Sequence, residues 1–442
     1  PDSPADLAAR VRRLEELNER LARELAQLRA DHDDVEARAN ALGAKLSGRI
    51  TGYADFGFFY AQGDGSGIRS LAQIDDGRRL FPGYPTVPDS WVFVGDPLST
   101  AINSRGEPAD TGESRAITFN PVNNGGKASF ILNELHVGLF AGVGERLTFN
   151  AALGFVPRSR DVSDPGGLFL GDFLEVKLAY LEYRLPVEAL DLRVTAGKMD
   201  SVVGIEYRVQ SSSARMGVTP SLICRYTCGR PLGVKLRGRL PGDRFTFALA
   251  VTNGSHMSEG FPFANEIDTN NFKTVAGRLS TTFPVGAGLE IGASAAFGAQ
   301  DFQAADDVFQ WHAGADLRLE VRGLDVRAEF VIGRADGRDE PGAGARTCGL
   351  APCLEYKGAY GQVAYRLLNW LTPYVRVDWR DAFHRSGDSF VYISQLYRVT
   401  AGLHLELGES VIVKAEYVLN REYGAAPQFA DDVVTSSLVV AF

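Results

Sequence analysis

"VFQWHAGADLRLEVRGLDVRAEFVIGR" runs from Val308 to Arg334. Phe309, Trp311, Ala313, Ala315, Leu317 and Leu319 share one parity, against His312, Asp316, Arg318 and Glu320 on the other. After Arg322-Gly323 the pattern resumes: Leu324, Val326, Ala328, Phe330 and Ile332 oppose Asp325, Arg327 and Glu329. A period of two is the side-chain period of a strand, so the stretch reads as a hairpin with one apolar and one charged face. Full charges sit in the middle of both strands, on a face that must meet water.

The same grammar extends in both directions. Alternating runs appear near 49–60, 129–141, 146–157, 173–185, 190–199, 231–240, 243–253, 272–283 and 288–299, and again near 356–368, 370–382, 391–406, 410–421 and 432–442. Together these make roughly sixteen strands of about 10–14 residues, the length that a tilted membrane strand needs. The connections alternate in length. Short turns fall at Gly142–Glu145, Pro186–Ala189, Pro241-Gly242, Pro284–Gly288, Arg322-Gly323, Asn369 and Gly408-Glu409. Between them lie long stretches at 61–128, 158–172, 200–230, 254–271, 335–355, 383–390 and 422–431, with 300–307 intermediate. A soluble sandwich also alternates, but short turns on one side and long loops on the other mark an outer-membrane barrel. The expected fold is an all-β transmembrane barrel of about 16 antiparallel strands over residues 48–442, its long external loops at 61–128, 200–230 and 335–355.

The chain ends "VVTSSLVVAF", Val433 to Phe442, with Val434, Leu438, Val440 and Phe442 on one face. A strand that stops on an aromatic residue is unlike a frayed soluble terminus. It reads as the closing strand, paired with the one that begins near Ile50.

The totals agree. In 442 residues there are 48 Gly, 26 Phe and 15 Tyr but 3 Met, with net charge −9. No run approaches the roughly 18 apolar residues of a membrane helix. The acidic balance and the lack of a basic block disfavour a nucleic-acid partner. No signal peptide opens the sequence, so Pro1 is expected to be near a processed start.

Residues 1–47 follow another rule. Leu7, Val11, Leu14, Asn18, Leu21, Leu25, Leu28, His32, Val35, Ala39, Leu42 and Leu46 recur at spacings of four and three. That is a heptad seam, read as a periplasmic coiled-coil helix before the barrel, with a core of Val11, Leu14, Asn18, Leu21, Leu25, Leu28, His32 and Val35. The alternative is a lone amphipathic helix packed on a domain. The four cysteines form two close pairs, Cys224/Cys228 and Cys348/Cys353, without the spacing of a redox or zinc motif. Two local disulfides are expected in an oxidising compartment; free thiols and crossed pairing between the loops are the alternatives.

Several stretches resemble the trimeric sixteen-stranded bacterial outer-membrane porins, above all the phosphate-selective porins and their relatives with an N-terminal coiled coil. They are "AGKMDSVVGIEY" (Ala196–Tyr207), "RPLGVKLRGRL" (Arg230–Leu240), "ALAVTNGS" (Ala248–Ser255) and "SFILNELHVGLFAGVGERLTFNAALGF" (Ser129–Phe155). The resemblance implies a homotrimer in the outer membrane, among lipid and lipopolysaccharide. It implies that 200–230 folds into the barrel and narrows the pore, and that Phe442 is an assembly signal. The long first loop departs from the family, and no arginine ladder is dense enough to carry over a phosphate site.

The segment 200–230 is also the best candidate on its own residues: it is long and rich in arginine. The expected constriction combines its Arg208, Arg215 and Arg225 with Lys235, Arg237 and Arg239 on the next strand, facing Asp316, Glu320 and Glu329. The other inward charges, among them Asp55, Asp378, Glu416, Arg376, Arg380, Arg398 and Lys414, read as the lining of a solvated lumen. His136, His312 and His404 also point inward, but none has a nucleophile nearby, so no enzyme activity is expected. No cofactor is expected; Asp75-Asp76 and Asp431-Asp432 are candidate Ca²⁺ ligands on external loops, with ordinary solvated acids as the alternative. The function expected is passive diffusion of small hydrophilic solutes and ions. A substrate-specific channel, with anions as the candidate substrate, is one alternative. Another is a structural anchor that reaches peptidoglycan or a periplasmic partner through the coiled coil.

Overall fold

The computed structural model describes residues 47–62, 67–70, 89–94, 128–155, 174–187, 190–240, 244–254, 270–286, 288–299, 308–336, 353–386, 390–424 and 430–442, with Asp268, Asp306 and Gln428. The expected coiled-coil core, Asp75-Asp76 and Cys348 lie outside them. The strands are β1 Ser47–Ala61, β2 Gly67–Ser70, β3 Asp89–Val94, β4 Ala128–Val143, β5 Leu147–Phe155, β6 Leu174–Arg184, β7 Asp191–Lys198, β8 Leu232–Arg239 and β9 Phe245–Thr252. They continue as β10 Thr274–Phe283, β11 Gly288–Ala299, β12 Phe309–Val321, β13 Leu324–Ala335, β14 Cys353–Tyr365, β15 Leu371–Ser386, β16 Phe390–Glu406, β17 Val411–Glu422 and β18 Val433–Ala441.

Sixteen of these strands, all but β2 and β3, close into one antiparallel barrel. Each pairs with the next, β1 pairs with β4 across the first loop, and β1 pairs with β18 to shut the ring, Tyr53 opposite Ala441 and Ala61 opposite Val433. Closure leaves the ring no free edge along its paired length, so the backbone groups there are satisfied within the sheet. The two short strands were not expected. They form a hairpin inside the stretch 61–128, and β3 runs parallel to the start of β16, Asp89 beside Phe390. The physical reason is a difference in length. The pairing of β17 with β16 ends at Glu422 opposite Leu396, so the first residues of β16 extend past it and offer an edge.

The barrel is polar inside and apolar outside. Leu249 and Leu279 are 53% and 55% exposed, while Asp378 and Arg380 are fully buried. The opening hairpin shows why the parity holds. Arg322 and Gly323 join β12 to β13 with φ of 48° and 86°, the paired positive values of a type I′ turn. That turn fixes the register at Val321 opposite Leu324, so every charge of one strand meets the charged face of the other.

Among the described residues, two bulges interrupt the regular pairing. Asp55 pairs with Glu134 but Phe56 with Leu132, leaving Asn133 extra in β4; Ala152 pairs with Leu178 but Leu153 with Val176, leaving Lys177 extra in β6. Both extra residues are buried. Asn133 donates to Asp55 at 3.0 Å, and Lys177 forms an ion pair with Glu134. Gly154 on the intervening β5 leaves the space for that pair, since a Cβ there would lie 2.4 Å from Lys177 Cε.

Candidate functional site: a segment folded inside the barrel

Between β7 and β8 the chain from Met199 to Arg230 touches Asp55 on β1, Glu290 on β11, Glu329 on β13, Asp378 on β15 and Glu416 on β17. Strands so far apart around a ring meet a single segment only on the inside. The segment enters where Gly197 adopts φ 127°, a conformation that side chains rarely take. Met199, Val202 and Val203 then pack on Ala250, Ala276 and Ala296. Those alanines lie on the inner faces of β9, β10 and β11, and their small size lets a backbone approach. At the far end Ile223 and Tyr226 pack with Val331, Tyr356, Tyr360 and Ala382. Tyr226 stacks on Tyr356 at 4.0 Å between ring centroids, and the Arg380 guanidinium lies 5.6 Å over its ring. A helical turn, Cys224–Thr227, is bridged by the Cys224–Cys228 disulfide.

An irregular segment buried in a barrel has backbone donors and acceptors that need partners. The wall supplies them. Glu416 accepts from Val218 N at 2.7 Å, Thr219 N at 2.9 Å and Thr219 Oγ1 at 2.8 Å, and Asp378 accepts from Leu222 N at 3.1 Å. Glu329 accepts from Glu206 N at 2.5 Å, and Asp55 from Ser212 Oγ at 2.5 Å. Cations serve the carbonyls: Arg376 donates to Thr219 O and Pro220 O, both at 2.8 Å, and Lys414 to Ser212 O and Gly217 O. Gly217 leaves room for this clamp, since a Cβ would sit 2.0 Å from Glu416 Oε1. Asp55, Asp378, Glu416, Arg376 and Lys414 are thus buried anchors of the segment, not lining of a solvated lumen.

The residues expected at the constriction separate into two groups. Arg208 is half-buried on the segment and holds Glu290 with both terminal nitrogens, at 3.0 and 3.2 Å. Arg215 and Arg225 are buried, and Arg215 donates to Gln210 O at 2.6 Å. Asp316 is buried against Arg278, and Glu329 is buried between Glu206 N and the Tyr360 hydroxyl. Glu320 is half-exposed and pairs with Arg318 on its own strand. Lys235, Arg237 and Arg239 share the inner face of β8 and are half-exposed. Lys235 donates to Asp200 O at 3.1 Å. Beside them on β7, Arg193 binds Glu182 at 3.1 Å and Asp191 at 3.2 Å. The half-exposed residues of the segment are Asp200, Tyr207, Arg208, Val209, Ser211, Ser213 and Met216, and Ala214 is exposed.

At the outer rim Asp432 accepts from Arg421 at 2.8 Å, Tyr417 at 3.1 Å and Asn420 N at 3.1 Å. Its neighbour Asp431 is fully buried. Burial and the neighbouring Glu422 carboxyl push Asp431 up to about 9 from its ordinary 3.8.

No family profile matches the sequence, and no curated protein matches it. Solved structures do share its fold. OmpT of Vibrio cholerae, as its loop L8 deletion mutant, superposes with TM-score 0.51 at 10% identity, covering 90% of this chain and 100% of that one. OmpF of Salmonella typhi, in complex with daunomycin, superposes with TM-score 0.51 at 10% identity over 90% and 98%. An anion-selective porin from Comamonas acidovorans covers 90% of this chain and 100% of its own, with TM-score 0.49 and 9% identity. The chain shares the closed antiparallel barrel fold of the first two of these structures.

Proposed function

We propose that this protein is a porin of the bacterial outer membrane, a passive diffusion channel for small hydrophilic solutes and ions that works as a homotrimer. The observation that carries the reading is the one-sided placement of the inner segment. Its anchoring carboxylates lie on β1 and on β11 to β17, and its entry packs on β9 to β11 and is held by Lys235, while Arg237 and Arg239 on β8 keep water contact on the inner face. A segment held against one side narrows a lumen and leaves a path along the other. Arg208 on the segment and the cations of β8 border that path, together with Glu182, Asp191 and Glu290. Charges of both signs at the narrowest point favour polar solutes over apolar ones and give weak ion selection. An anion-specific channel is the second reading, favoured by the three cations on one face of β8.

The trimer would place three N-terminal helices near one axis, where the heptad of residues 4–46 supplies a seam. Single-channel recording in planar bilayers tests the channel. Stepwise conductance that scales with bulk salt is expected; a closed barrel would leave the anchoring role, with the coiled coil as its reach toward the cell wall. Cross-linking in detergent tests the assembly, and a monomer or dimer would overturn the trimer.

A further inference from the structure

The sulfurs of Cys224 and Cys228 are 4 residues apart in sequence and joined. Cys224 is 1% exposed and Cys228 not at all. Their cover is complete. On one side is their own helical turn, in which Ile223, Tyr226 and Thr227 are all buried. Beyond it is the barrel wall, with Tyr356 stacked on Tyr226 and Arg380 above the same ring. The wall is shaped for this contact, since a Cβ on Gly358 would lie 2.6 Å from Ile223 Cγ2. A carboxylate oxygen of Glu206 and both sulfurs all lie within 4.8 Å of one another, and Glu206 is itself held by Ser221 N at 2.8 Å.

Thiol–disulfide exchange needs a thiolate and in-line access to a sulfur. Burial away from water disfavours the thiolate, and a carboxyl neighbour supplies no positive charge to support it. Access is blocked by the packing just described. In the unfolded chain neither obstacle exists. Closing a loop this short takes less than about a microsecond, so the two thiols meet without help from the barrel.

We propose that the Cys224–Cys228 bond is made on the unfolded chain, before the segment docks, and that the closed barrel then seals it. The reaction that must supply it is a dithiol oxidation by exchange with a disulfide acceptor. The first thiolate attacks the acceptor to give a mixed disulfide; the second displaces it. Two thiols of this chain lose two protons and two electrons, and the acceptor disulfide becomes two thiols. The bond therefore reaches the segment as a preformed staple for the turn that packs on Tyr356, and the folded barrel carries it as an inert element.

The test uses the full chain folded in detergent micelles. It is exposed to dithiothreitol, alkylated with N-ethylmaleimide and mapped by peptide mass, with a denatured sample alongside. The peptide holding Cys224 and Cys228 is expected to gain two labels in denaturant and none in the folded barrel over the same interval, a rate at least about a hundredfold slower. In a second arm the chain is reduced in denaturant, refolded into micelles and then offered oxidised glutathione. Failure to fold, or folding with thiols that stay open to labelling only after denaturation, agrees with the proposal. Reduction of the folded barrel at the rate of the denatured chain, or rapid reoxidation inside the refolded barrel, overturns it.

Discussion

Gly52 and Phe442 exchange both backbone hydrogen bonds, Gly52 N to Phe442 O at 3.0 Å and Phe442 N to Gly52 O at 2.9 Å. The Phe442 ring lies over the glycine, where a Cβ would be 2.5 Å from its Cζ. The last residue of the chain is thus the final rung of the seam between β18 and β1. Deleting Phe442 removes two hydrogen bonds of about 1 kcal/mol each and the ring contact. The expected result is an assembled fraction at least about twofold lower, read as the heat-modifiable band on a cold detergent gel. An unchanged band would place closure elsewhere.

Glu416 and Lys414 stand two apart on β17 and hold opposite groups of the segment, N–H groups by the carboxylate and carbonyls by the ammonium. Glu416→Gln leaves one oxygen in place of two and removes the charge, at a local cost of about 3 kcal/mol. The tip at Gly217–Thr219 is expected to detach while the barrel remains closed. Single-channel records should show larger and noisier conductance, with the thermal midpoint of the barrel lowered by only a few degrees. Quiet channels of wild-type size would show that the clamp does not set the aperture.

Asp431 predicts a pH dependence. Its folded-state value of about 9 lies above the ordinary 3.8, so between these values the folded protein keeps a proton that the unfolded chain has released. The sign follows: this contribution is fully present below about 3.8 and is lost progressively as pH rises toward about 9. Asp431→Asn stays neutral throughout and should flatten the dependence over that window. Denaturation midpoints at a series of pH values measure it, and parallel curves for the two proteins would refute the assignment.

Arg237 and Arg239 lie half-exposed on the inner face of β8. Replacing both with Ser removes two positive charges from the proposed path without opening a packed core. Cation permeability relative to anion should rise, as measured by reversal potential under a salt gradient. The change should be largest at low salt and fade near 1 M, where the Debye length is about 3 Å. An unchanged ratio at low salt would remove this face from the constriction and leave the barrel itself untouched.

The sequence by itself determined the barrel. Its wall is a local pattern repeated: alternation sets the two faces of each strand, Arg322-Gly323 and its counterparts set the turns, and Val433–Phe442 ends on the strand that closes the ring. The four-residue spacing also made Cys224–Cys228 a natural pair, as found. Each of these is decided by neighbours a few residues apart.

The fate of the inward charges was decided by the tertiary structure. Parity places Glu416 and Arg237 alike on the inner face, yet one is buried beneath Val218 and Thr219 and the other keeps contact with water. Alternation tells which way a side chain points and nothing of what lies over it. The segment that covers Glu416 comes from 197 residues away, and its backbone carries no side-chain signal naming the carboxylate it will use. Backbone N–H groups are the same in every sequence, so a contact made through them is invisible until the chain has folded. For the same reason Arg215 and Arg225, two of the charges that mark the segment in the sequence, end buried, while Arg208, held by Glu290 from β11, remains at the water's edge.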